Sequence, residues 1–251
     1  MAEQRNISKV RTNESDKEQS AGALQSSLSV ELHSIYAVRL WEGRPRSSSG
    51  RGQNKTVKHA IMSMPQAIKK AGVIYFDSLS DNPYADEAML KIEESLTEAG
   101  ERIQSYVTDL EKIIKSVPST VSFTDVISSS PLNIGVFSRS PLGYRCVWLL
   151  VGYDQMALKA FQAAHYGLIS RNQRDDYLRH GAHLIRKIYG ILRPYSTIAV
   201  TRRDLSQQTK AGTSAIEQLG YPNPDVLSGK KRSTFSPPLK TGKIREKAKK
   251  S

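Results

Sequence analysis

His180 and His183 stand three residues apart in a segment of helical periodicity, close enough on one face to share a metal ion. They have no cysteine or carboxylate at ligand spacing. Arg179, Arg186 and Lys187 make the neighbourhood basic, which suits a surface or phosphate-contacting role instead. Asp175-Asp176 and Glu93-Glu94 are adjacent carboxylates. Acid–base chemistry needs convergence in a cleft, and adjacency on a helix points to a solvated face. Cys146, the only cysteine, lies in an apolar run with Arg145 as its one basic neighbour, too little to activate a thiolate. No Gly-rich phosphate loop, G-x-S-x-G or H-E-x-x-H occurs. No enzymatic activity, metal or cofactor is expected.

Two half-polar segments carry more promise. Leu28, Val30 and Leu32 alternate with Ser27, Ser29, Glu31 and His33; Leu132, Ile134 and Val136 alternate with Asn133, Gly135, Phe137 and Arg139. Period-2 alternation marks strands with one buried face. Paired antiparallel, they form a ribbon whose outward side chains are the polar set, and a two-stranded ribbon fits the major groove of double-stranded DNA. Asn133 and Arg139 suit base-edge hydrogen bonds. Glu31 is repelled by phosphates unless it accepts from a cytosine amine, and Phe137 offers only apolar contact. A buried Phe137 would reverse the two faces. The plain alternative is an ordinary solvent-exposed sheet surface.

Each strand feeds a helix. Ser34 caps a helix beginning at Ile35, and Ser140 with Pro141 opens another, apolar nearly all round, which includes Tyr144, Val147, Trp148, Val151, Leu158 and Phe161. Val30–Trp41 and Val136–Val147 align without a gap, matching Val30 to Val136, Ser34 to Ser140 and Arg39 to Arg145. Both segments read as strand, serine cap, helix. Helix N-termini near Ser34, Ser140 and Ser170 would offer backbone N–H groups to phosphates, assisted by Arg171.

The remaining elements follow by periodicity. Helices are expected over Met64–Leu79, over 83–117, over Arg171–Leu192, and from a capping box at Thr201–Asp204 to about Leu219. Val121–Val126 reads as an edge strand. Met89, Ile92, Leu96, Ala99, Ile103, Tyr106, Leu110, Ile113 and Val117 alternate three and four apart, a heptad seam that could pair within the chain or join copies as a homo-oligomer.

The net charge of +13 is carried by two segments: 44–58, with five basic residues and no acid, and 229–251, with nine basic residues against Glu246. Arg44, Arg46, Lys230, Lys231 and Arg232 are therefore phosphate-contact candidates. The domains expected are a disordered arm (1–23), a DNA-binding domain (24–220) containing the basic loop and the long helix, and a disordered basic tail (221–251). No apolar run suits a membrane span, and the N-terminus lacks a secretory core. A cytoplasmic protein is expected, with no small-molecule substrate.

In this order, SSLSVELHSIYAVRLWEGR, NPYADEAMLKIEESL, SPLGYRCVWLLVGYDQMALKAFQAAHYGLI, VTRRD and FSPPL resemble the AcaB-like family of regulators from IncC-type conjugative plasmids and integrative conjugative elements. The resemblance runs from about Ser26 to Leu239. It implies a mainly α fold with a short two-stranded antiparallel ribbon, a single-chain ribbon-helix-helix pseudo-dimer with a long helix inserted. It implies a sequence-specific activator of conjugative transfer genes, associated with the nucleoid or plasmid. The rival expectation is a non-enzymatic accessory protein of the transfer apparatus that binds DNA without sequence preference or holds a partner on the heptad seam.

Overall fold

The computed structural model describes residues 28–49 and 56–239. In chain order the elements are β1 (Leu28–Leu32), α1 (Ile35–Glu42), β2 (Ser47–Ser49), β3 (Thr56–Lys58), α2 (Met64–Leu79), α3 (Pro83–Lys115), β4 (Leu132–Val136), α4 (Pro141–His165), α5 (Arg171–Leu192), α6 (Arg202–Ser206), α7 (Lys210–Leu219) and α8 (Pro224–Leu227). The protein is mainly helical, with β1 and β4 forming a two-stranded antiparallel sheet.

Local chemistry explains most boundaries. The Ser34 hydroxyl accepts the Ala37 N–H at 3.1 Å, and the Ser140 hydroxyl accepts the Gly143 N–H at 3.1 Å. Each satisfies a donor that the first helical turn leaves open. α2 and α5 both begin with a reciprocal Ser-x-x-Gln capping box, Ser63 with Gln66 and Ser170 with Gln173. Gly43 ends α1 at φ +70°, where an added Cβ would stand 2.7 Å from the Ile61 carbonyl oxygen, so this turn requires glycine.

α4 is the central helix and packs against α1, α2, α3 and α5. Leu142, Val147, Leu150, Tyr153, Met156 and Ala160 are buried along it. Full burial of each large aliphatic side chain stabilises the fold by about 1.5–3 kcal/mol. It is buried on most sides, as its apolar sequence predicts, but Trp148 is 51% exposed. The seam on α3 also departs from strict heptads. Met89, Ile92, Leu96, Ala99 and Ile103 are buried, and then Val107 replaces Tyr106 before Leu110. A straight helix drifts against a seven-residue repeat, so the buried stripe moves by one residue over this length. Tyr106, half-buried, packs its ring edge-on against Tyr177.

Several expectations need correction. The heptad seam is spent inside the chain, against α2, α4 and α5. Of the two pairings its spacing allows, the buried part of the seam takes the one within the chain. Residues 44–58 are not a plain loop: Ser47–Ser49 pair with Thr56–Lys58, and Arg44 bridges to Ile61. Val121–Val126 forms no strand. The helix expected from Thr201 to Leu219 breaks at Gln207–Thr209, where Gln208 has φ +49°.

The tail expected to lack structure from residue 221 is structured through Leu239. The buried Asp86 carboxylate, with 0% side-chain exposure, accepts from Arg232 at 2.9 and 3.0 Å, from Arg202 at 2.6 Å and from Ser78 at 2.5 Å. Two guanidiniums on one buried carboxylate tie the α6 and tail segments to α3. The expected arm over 1–23 and residues 240–251 lie outside the described residues.

Candidate functional site

The ribbon places the alternating residues as their spacing predicts. Val30, Leu32 and Val136 are buried, with Leu28, Leu132 and Ile134 packed against the same core. Ser29, Glu31, Asn133 and Gly135 face outward, with Ser29 opposite Gly135 and Glu31 opposite Asn133. Phe137 is 75% exposed, so the faces are not reversed. Beyond the end of β4 the alternation continues: Ser138 and Ser140 point in, and Arg139 points out. An added Cβ at Gly72 of α2 would stand 3.6 Å from the Arg139 Cβ, so this arginine leaves the ribbon over α2. Phe137 and Arg139 line a groove of about 510 Å³ with Trp41, Lys69, Val73 and Phe76. Ser27 lies outside the described residues.

His33 departs from the outward set. It is half-buried, its Nδ1 accepts the Ser128 N–H at 3.3 Å, and its Nε2 lies 3.8 Å from Glu31. The ring braces the segment that enters β4, because the chain before Pro131 passes beside it.

The two phosphate sites expected at Ser34 and Ser140 are closed. The N–H groups of His33 and Ser34 both donate to the Asp154 carboxylate at 2.8 Å, so α4 already supplies the anion that the start of α1 attracts. Ser140 is buried, and its N–H donates to the Ser138 hydroxyl at 3.2 Å. Sequence spacing could not reveal either plug, since Asp154 is distant in the chain and Ser138 reads as a loop residue.

The basic candidates divide. Arg232 is held by Asp86 and cannot meet a phosphate without breaking that pair. Lys231 pairs with Glu94 at 3.0 Å on the surface. Arg46 and Lys230 are exposed. Arg44 and Arg171, far apart in sequence, line one cavity together with Arg39, Arg174, Arg179 and Arg186. Arg39, Arg179 and Arg186 stand out in the sequence for other reasons and Arg174 not at all, although a signal joins part of the set: Arg171, Arg174, Leu178, Ala182 and Arg186 recur at the spacing of a single face of α5.

Among the described residues no group of three histidine, cysteine or acidic side chains could hold a metal, and no helix is long and apolar enough to cross a membrane. Burial pushes the Cys146 thiol up to about 12, against the weaker pull of Arg145, which leaves it protonated and unreactive at neutral pH.

Comparison with known proteins agrees with this architecture. The family profile described as "Transcriptional regulator AcaB" matches residues 20–240. The chain belongs to the AcaB family of transcriptional regulators. A crystal structure of selenomethionine-containing AcaB from uropathogenic E. coli is similar in fold, with a TM-score of 0.52 at 13% identity, covering 81% of this chain and 95% of that one. No curated protein sequence matches. The AcaB match spans β1, β4 and the C-terminal segment held by Asp86.

Proposed function

We propose that this AcaB-family protein is a sequence-specific DNA-binding regulator that acts as a single-chain ribbon-helix-helix pseudo-dimer. One observation carries the reading. In the ungapped alignment that matches Val30 to Val136, the counterpart of Ser29 is Gly135, and these two residues pair with each other across the ribbon. A two-fold axis requires this. It maps the pair Leu28–Val136 onto the pair Ile134–Val30, and both pairs are in the observed register. Each half then supplies a strand, a serine-capped helix and a Ser-x-x-Gln-capped helix, with α3 inserted between the halves.

In this reading the outward ribbon enters the major groove. Asn133 and Arg139 read base edges, while Ser29 and Glu31 line the same face and Gly135 lets the duplex approach closely. Phe137 meets apolar base edges such as the thymine methyl. Arg46 and Lys230 contact phosphates, which positions the protein without reading sequence. The regulated genes are those of conjugative transfer, with activation as the direction, in the cytoplasm of a bacterium and without catalysis. A partner-holding role on the α3 seam loses its surface to the core.

Capture of genomic fragments by the purified protein at physiological salt tests the reading. A regulator retains a few sites about 10³-fold or more above background. Uniform retention of all fragments would instead identify a non-specific accessory protein.

A further inference from the structure

Six arginines line one half-open cavity of about 740 Å³ where α1 meets α5: Arg39 and Arg44 from the first segment, Arg171, Arg174, Arg179 and Arg186 from the second. The lining includes a single carboxylate, Asp175, which pairs with Arg174 at 2.6 Å. Arg179 pairs with Asp176, and an Arg44 guanidinium nitrogen donates to the His59 carbonyl at 3.1 Å. Arg39, Arg171 and Arg186 have no carboxylate partner among the described residues. So many guanidiniums around one hollow repel one another unless an anion joins them.

The rest of the lining differs in kind. Leu40, Leu178, Ala182 and Tyr153 are buried, and the half-buried Tyr36 ring packs against Phe161 at 5.6 Å. Arginines around an apolar and aromatic floor, in a volume within the usual range of about 300–1,000 Å³ for small-molecule sites, suit an organic polyanion better than a bare ion.

The internal repeat separates this cavity from the ribbon's task. In the second half, the counterparts of Tyr36, Leu40 and Gly43 are Leu142, Cys146 and Leu149, all buried. The counterpart of Arg39 is Arg145, which donates to Thr97 at 3.0 Å, approaches Glu93 at 3.9 Å and lies 5.2 Å from the Phe235 ring centre. The cavity, built by α1 of the first half and α5 of the second, therefore has no two-fold mate at α4, whereas a backbone clamp matched to two half-sites would have one.

The geometry points to a binding site for a nucleoside polyphosphate, distinct from the outward ribbon face. Its clustered phosphates are taken by the arginine forks, and its base and sugar cover Tyr36, Leu40 and Leu178. This inference goes beyond the DNA-reading role; its separation from that role rests on the two-half reading, while the cavity's arginines and apolar floor stand without it.

Calorimetry and thermal unfolding of the full chain with ATP, pyrophosphate and inorganic phosphate, at about 150 mM salt, provide the test. ATP is expected to bind one per chain and, at about 100-fold above its Kd, to raise Tm by about 5 °C or more. Pyrophosphate, lacking the part that covers the floor, is expected to bind at least about tenfold more weakly. The Arg39→Ala/Arg186→Ala variant should lose about tenfold or more in ATP affinity yet hold a short random duplex within about twofold. Should that variant fail to fold, Arg39→Lys/Arg186→Lys keeps the charge and should still weaken ATP several-fold by removing the forked donors. Absence of ATP binding at millimolar concentration, equal affinity in wild type and folded variant, or equal affinity for ATP and pyrophosphate would overturn the proposal. So would duplex DNA displacing ATP while the variant loses duplex affinity by the same factor, which would assign these arginines to the DNA backbone. Failure of sequence-specific capture alone would leave the cavity result standing.

Discussion

Gly135 and Arg139 test the ribbon one side chain at a time. A Cβ added at Gly135 meets nothing within 4 Å, and its pairing with Ser29 uses backbone groups that any residue has. Gly135→Glu should therefore leave Tm unchanged within a few degrees. It sets a charge and bulk in the middle of the proposed DNA face, and affinity for the target duplex should fall about 100-fold, by fluorescence anisotropy. Unchanged affinity would show that DNA does not meet this face. Arg139→Ala should weaken binding to the target by about 1–3 kcal/mol and relax preference at one base position. Equal loss on target and random duplexes would reduce Arg139 to a phosphate contact.

Among elements, α3 and the C-terminal segment depend on the Asp86 clamp. Asp86→Ala leaves Arg202 and Arg232 partly buried without their shared carboxylate. Losing one member of a buried ionic cluster costs about 3–5 kcal/mol, so calorimetric Tm should drop by about 10 °C or more. Retention of wild-type stability would show that the two arginines find water or other partners. Burial pushes the Asp86 carboxyl up, but hydrogen bonds from Arg232, Ser78 and Arg202 outweigh it and hold the group below its ordinary range. A depressed carboxylate contributes stability that is fully present above the unfolded value near 4 and is lost as pH falls through the lower folded value. Denaturant titrations of wild type and Asp86→Asn should therefore run parallel from about pH 5 to 8, with the wild-type curve falling more steeply below about pH 4. Parallel curves throughout would remove Asp86 from the acid response.

For the whole molecule, the charge concentrated near the C-terminus now divides at Leu239. Residues 230–239 include the clamped Arg232, whereas residues 240–251 carry six basic residues and Glu246. Truncation after Leu239 should preserve Tm, weaken binding to all duplexes alike, and make the log–log salt dependence shallower by at most about five. Truncation after Gly229 should in addition lower Tm, because it removes the Arg232 arm. A Leu239 truncation with the wild-type salt slope would show that the terminal basic run does not touch DNA.

Much of the ribbon and its helices was legible from local spacing. The inward and outward sets of β1 and β4, the Ser34 and Ser140 caps and the bounds of α2 and α5 all follow from periodicities and capping bonds spanning two to four residues. Such features report on neighbours along the chain, so the chain order reveals them. The fate of the charges was not legible, because it depends on encounters across the fold. Asp154 reaches back 121 residues to fill the start of α1, and Arg232 reaches Asp86 across 146. Both turn apparent phosphate binders into internal partners. The arginines of α1 and α5 acquire a shared cavity for the same reason: packing around α4 brings the two helices together, and a one-dimensional charge count has no access to that meeting.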